Sequence, residues 1–193
     1  KVLTSEGTKV TQGIVIQDKE GNEFVWVPVD SVSTGTSKPA DDIRLGRYDD
    51  FTTKNSSGNY IPKQDADNYI EAIIVNGQRG NYYQELTSDS RNTAAKNLEE
   101  FVNKTKANGG YYFGRYEASQ GADGKVDSKF DKEAWAGIKQ PNAAEVSREM
   151  YNNDYVESDL VNSYSWDTAI VFIQKYSGNV NYANRTSVNK SKL

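Results

Sequence analysis

The order of apolar patterns along the chain predicts an α+β fold. Two β-rich segments meet at a Gly-Asn turn near the start, an aromatic β-rich run follows a helical stripe near the middle, and two further helical stripes come after it. A chain of 193 residues is expected to form one domain over 1–193, and at this size about 70% of its open-chain surface becomes hidden.

The first β segments, Gly13 to Gln17 and Glu23 to Val29, are joined by Asp18-Lys19-Glu20-Gly21-Asn22 as a hairpin. In the second, Phe24, Trp26 and Pro28 face one way while Val25, Val27 and Val29 face the other. Both faces are apolar, so the strand is expected to be covered on two sides. Pro28 has no amide hydrogen, which ends the strand or places it at an edge. From Asp30 to about Asp67 the texture turns to Ser, Thr, Gly, Lys, Asn and Asp, a long surface excursion with a short strand near Ile43-Arg44-Leu45. Loops this long are functional or disordered.

Ser88, Asp89 and Ser90 offer caps for the next helix, in which Ala94, Ala95, Leu98, Phe101 and Val102 recur at helical spacing. Asn108-Gly109-Gly110 ends it. The run Tyr111 to Ala118 is the aromatic strand, with Gly114 marking a bulge or a close backbone approach. Within it Arg115 and Glu117, two residues apart, share a face and form a structural pair. Asn142 with Glu145 resembles a capping box above the stripe of Ala143, Val146 and Met150. Ser165 caps the last helix, whose inner face is Trp166, Ala169, Ile170, Ile173 and Tyr176, with Gly178 at its end. The polar tail 179–193 shows no element.

Composition excludes much chemistry. There is no Cys and no His, so thiolate nucleophiles, cysteine metal sites and the usual neutral-pH general base are missing. A net charge of −4 makes no basic field for nucleic acid. Apolar runs such as Ala169 to Ile173 are far shorter than the ~20 residues of a membrane span. The chain opens on Lys1 and reads as a mature or excised piece. Thirteen Tyr, six Phe and three Trp amid Asn, Ser and Gly suit a binder of polar ligands.

Carboxylates remain as reactive groups, since two of them suffice for glycoside hydrolysis. The candidates are Asp41/Asp42, Asp49/Asp50, Glu99/Glu100, Asp123/Asp127, Asp154/Asp159 and Glu117; adjacent acids on loops make turns or solvated faces. For calcium, the segments Gly121 to Asp127 and Asp65 to Asn68 are oxygen-rich but lack the twelve-residue loop pattern. The expectation is therefore no cofactor, no metal site and no catalytic residue.

Glu23-Phe-Val-Trp-Val-Pro28, Gly110-Tyr-Tyr-Phe-Gly-Arg-Tyr-Glu-Ala118 and Ser165-Trp-Asp-Thr-Ala-Ile170 together resemble the formylglycine-generating-enzyme-like, or sulfatase-modifying-factor-like, family. The resemblance spans residues 13–177 and is greatest to bacterial surface-attached members, some behind a pilin-like N-terminal helix. It implies a C-type-lectin-like fold, truncated or reduced at the C-terminus, because the family's Gly-Asn-x-x-Glu-Trp segment and closing Arg-Gly-Gly strand have no counterpart. The family's oxidising members use cysteines with copper, and its sulfoxide synthases use histidines around iron; this chain has neither residue. The matched positions carry structural roles: Trp26 and Trp166 as core anchors, Arg115 with Glu117 as a strand pair, and Ser165 as a cap.

The function expected from these readings is a non-catalytic ligand-binding or adhesion module, extracellular or on a bacterial cell surface. Its partner would be a protein or a glycan, met by the 30–67 excursion and other Tyr/Asn-rich loops, with membrane attachment only through a segment outside this sequence. Two alternatives stand beside it: a pilin-like, self-associating filament subunit and a carboxylate-based hydrolase.

Overall fold

The computed structural model describes residues 1–29, 43–48, 56–57, 69–71 and 98–177. Within them the architecture is mixed α and β, with small antiparallel sheets and three α-helices. After a 3-10 turn at Val10–Gln12 come β1 (Val15–Gln17), β2 (Glu23–Pro28), β3 (Gly46–Tyr48) and β4 (Tyr69–Glu71). Helix α1 (Leu98–Asn108) precedes β5 (Gly110–Gly114), β6 (Ser119–Gln120), β7 (Val126–Asp127), α2 (Gln140–Met150) and α3 (Ser163–Tyr176). The described order ends there. The candidate caps Ser88, Asp89 and Ser90, most of the 30–67 excursion, Gly178 and the tail 179–193 lie outside the described residues.

The main sheet has the order β1-β2-β5 and is antiparallel throughout. The hairpin closes as expected. Gly21 at φ +92° supplies the backbone that other residues resist, and Asn22 N donates to Asp18 Oδ1 at 2.8 Å. Residues 1–3 run along the outer edge of β1, where Leu3 N donates to Val15 O at 2.8 Å and Gln17 N to Lys1 O at 2.7 Å. On the other side β2 pairs with β5 from Phe24↔Gly114 to Pro28↔Gly110. Gly110 permits this closeness: at φ +154°, a Cβ there would sit 2.4 Å from Val27 O and 2.6 Å from the Trp26 ring. Only glycine fits.

Strand alternation sends Val25, Val27, Tyr111 and Phe113 to one face and Phe24, Trp26 and Tyr112 to the other. The first face carries the core. One cluster joins Val27, Ile43, Ala169, Val171 and Phe172; the other joins Val29, Leu45 and Val102, backed by Phe101 of α1. Tyr111 packs against both and donates its hydroxyl to Ser165 O at 2.5 Å. Burying each large apolar side chain here is worth roughly 1.5–3 kcal/mol.

Helix α3 corrects the expected inner face. Trp166 is 48% exposed and Ile173 40%, whereas Ser165, Asp167, Thr168, Ala169, Val171, Phe172 and Gln174 are buried. The cause is burial from two directions: Ala169 and Phe172 meet Val27 of the sheet, while Thr168 Oγ1 accepts from Gly46 N at 3.3 Å. A helix held between two surfaces buries a wider arc than a one-sided stripe, and its polar members are hidden because they have partners. The cap also moves. Asn162 is the N-cap and accepts from Ser165 N at 2.9 Å, while Ser165 Oγ accepts from Asn162 N at 3.1 Å in return. Ser165 is thus the third helical residue of a reciprocal box, not the cap. Likewise α2 starts two residues before Asn142, with Lys139 as N-cap and Pro141 in the first turn, where a missing amide costs nothing. The short strand falls at Gly46–Tyr48, just past the Ile43-Arg44-Leu45 expected, whose Ile43 and Leu45 are instead buried core.

Candidate binding surface

The turn between β1 and β2 is tied to the far end of α2. Tyr151, the residue after that helix, donates its hydroxyl to Asp18 Oδ2, and its ring meets Phe24 edge-on at 5.8 Å. Burial pushes the Asp18 carboxyl up, but hydrogen bonds from Tyr151 and Asn22 outweigh it and hold the group below the ordinary carboxylate value. Burial, and then the bond to Asp18, push the Tyr151 phenol above its ordinary value. The buried Asn22 passes the tie onward, donating to Asp18 Oδ2 at 2.9 Å and accepting from Ser128 N at 2.9 Å.

Ser128 is the junction of the next layer. Its hydroxyl lies 3.1 Å from Tyr116 O and 3.3 Å from Glu23 O as donor, and Glu23 N donates to Ser128 O at 2.9 Å. This fixes the chain after β5 against the chain after β7. Arg115 is not paired with Glu117. Strand β5 stops at Gly114, so the two-residue alternation does not continue; Arg115 Nη1 reaches back to Glu23 Oε2 at 2.7 Å and Glu117 is left exposed. Gln17 Nε2 donates to the other Glu23 oxygen at 3.2 Å. The Arg115 guanidinium stands 5.5 Å from the Tyr116 ring centre, and Phe130 meets that ring edge-on at 5.8 Å with 73% of its surface in solvent.

No family model, curated protein or solved structure matches the chain. The remaining candidate positions are therefore placed by geometry alone. Trp26 is partly buried against Tyr112, ring centres 4.9 Å apart. Trp166 lies 6.2 Å from Phe113 with half its surface exposed.

Of the acidic candidates, Asp41/Asp42, Asp49/Asp50 and the Asp65 to Asn68 segment lie outside the described residues. Glu100 pairs with Lys104 at 2.6 Å, Asp123 with Lys125 at 3.5 Å, Asp127 with Lys129 at 2.8 Å, and Asp159 with Arg148 at 3.0 Å. Asp154 is exposed. Burial pushes the Asp159 carboxyl up in spite of Arg148. Among the described residues no three acidic side chains gather as a metal-ligand group, and no described helix is long and apolar enough to cross a membrane.

Two exposed aromatics escaped sequence reasoning. Phe130 sits alone in a polar run and has no periodic signal. Tyr155, 95% exposed, tips a small hairpin closed by the Asn152↔Glu157 bridge. Asn153 Oδ1 accepts from Tyr155 N at 3.0 Å and Val156 N at 3.1 Å, which fixes the tip. The Asn152-Asn153-Asp154 run was the available signal for that turn.

Proposed function

We propose that this chain is a non-catalytic ligand-binding or adhesion module on a bacterial cell surface, built on a C-type-lectin-like fold of the formylglycine-generating-enzyme-like kind. The observation that supports the reading is the display of large aromatic rings, foremost Tyr155 on its hydrogen-bonded tip and Phe130 two residues after the anchored Ser128. Rigid amphipathic rings give contact area at small conformational cost, which is how binding surfaces commonly use tyrosine and its relatives. The family likeness of the three motifs supports the fold, and the lack of Cys and His argues against the family's copper and iron chemistry. A protein or glycan is the expected partner, with no cofactor required.

The test is binding of the purified chain to immobilised bacterial and host surface proteins and to a glycan array. Saturable binding to either is expected; silence on both overturns the reading. Turnover of a glycoside abolished by changing one carboxylate would favour the hydrolase alternative instead.

A further inference from the structure

The geometry points to a saccharide-stacking site formed by Phe130 and Tyr116, with the Arg115–Glu23 ion pair as its polar rim. This rests on the binding-module reading above and gives it a place and a ligand chemistry.

Three structural features converge there. The first is an exposed apolar ring held out of the core. Phe130 follows Ser128 by two residues, and Ser128 is fixed to both Tyr116 and Glu23. Asp131, next in the chain, has φ +59°, the one positive value among the described non-glycine residues. Aspartate tolerates that left-handed conformation better than most residues, and Phe130 and Asp131 form a turn in which the Phe130 ring is 73% exposed.

The second feature is the pairing of rings. The Tyr116 and Phe130 rings meet in a T-shaped pair, centres 5.8 Å apart, and the Arg115 guanidinium stands 5.5 Å from the Tyr116 ring centre. Two rings and a cation thus occupy fixed relative positions.

The third is an adjoining set of polar groups. Arg115 keeps 43% of its side chain in solvent, and a guanidinium carries five N–H donors, more than the Glu23 bond consumes. The Glu23 carboxylate, with 13% of its side chain exposed, holds that guanidinium in place and is itself held by Gln17.

A pyranose ring matches this set. One of its faces carries C–H hydrogens, which suit the electron-rich face of an aromatic ring. Its rim carries neighbouring hydroxyls, which suit the fixed N–H donors of a guanidinium. A folded protein partner fits less well, because a stable interface takes about 800 Å² from each side and two rings supply a fraction of that.

The test uses the whole chain on a printed array of neutral hexose, N-acetylhexosamine and uronic-acid oligosaccharides, followed by titration of the best binder. Phe130→Ala should weaken binding about tenfold, Arg115→Gln severalfold, and Glu6→Gln, an exposed residue outside the site, not at all. Phe130→Trp, which keeps a ring, should retain it. Thermal unfolding of each variant establishes that it folds. Glycan binding that survives Phe130→Ala overturns this site while leaving the module reading intact. Adhesion to protein with no glycan bound overturns the saccharide assignment alone. Silence toward both removes the site and the module reading together.

Discussion

Tyr151 and Asp18, 133 positions apart, share a hydrogen bond that fastens the end of α2 to the β1–β2 turn. The same carboxylate accepts from the Asn22 backbone and side chain. One acidic group therefore closes a local turn and a long-range contact at once.

Removing the Tyr151 hydroxyl with Tyr151→Phe keeps the ring against Phe24 and deletes only this bond. The expected cost is about 1.5–3 kcal/mol, the range for a hydrogen bond to a charged group, read from urea unfolding at neutral pH.

The Asp18 carboxyl also sets an acid dependence. Its folded value lies below its unfolded one, so the unfolded chain takes up the proton first as pH falls. The contribution is whole above about pH 4 and is lost as the pH drops through the folded value. Tyr151→Phe and wild type should converge in stability across that acid window; a constant difference between them would contradict it.

Gly110→Ala should destabilise the fold by about 3–5 kcal/mol, since the new methyl meets Val27 O and the Trp26 ring. Gly124→Ala is the control. Gly124 also has a positive φ, +78°, but nothing within 4 Å, so only about 1–2 kcal/mol of backbone strain is expected. Thermal shifts of the two variants separate collision from conformation.

Arg115→Gln should cost up to about 1 kcal/mol, as a part-exposed ion pair does, because Glu23 loses its cationic partner and keeps only Gln17. Glu117→Gln should stay within about 0.5 kcal/mol of wild type. The reverse order would restore the Arg115–Glu117 pairing that strand alternation suggested.

Asn162→Ala should cost about 1 kcal/mol through loss of the α3 cap. Ser165→Ala removes the returning half of the same box, so the double variant should cost less than the two single losses added. Denaturant midpoints of the three chains give the coupling.

What the sequence made legible was local. The β1–β2 hairpin follows from the Gly21-Asn22 turn between alternating segments, and the halt at Pro28 from its missing amide hydrogen. The last helix was legible as a helix, but its cap was ambiguous because Asn162 and Ser165 both suit that role and in fact share it. Its buried face was hidden because Thr168 is satisfied by Gly46, a residue 122 positions earlier. Trp166 looked like an anchor by size, although the helix turns it half into solvent. The candidate site was the least legible part. Arg115 meets Glu23 only because β5 stops at Gly114 and lies antiparallel to β2, and Phe130 meets Tyr116 only because Ser128 joins their two segments.

Tyr111 belongs to both apolar clusters, and its hydroxyl holds the start of α3. Neither cluster can loosen without exposing that shared ring to the other's solvent, so melting is expected to be cooperative. Calorimetry should record one transition for the two halves of the core, and truncating Tyr111 to alanine should split or broaden it.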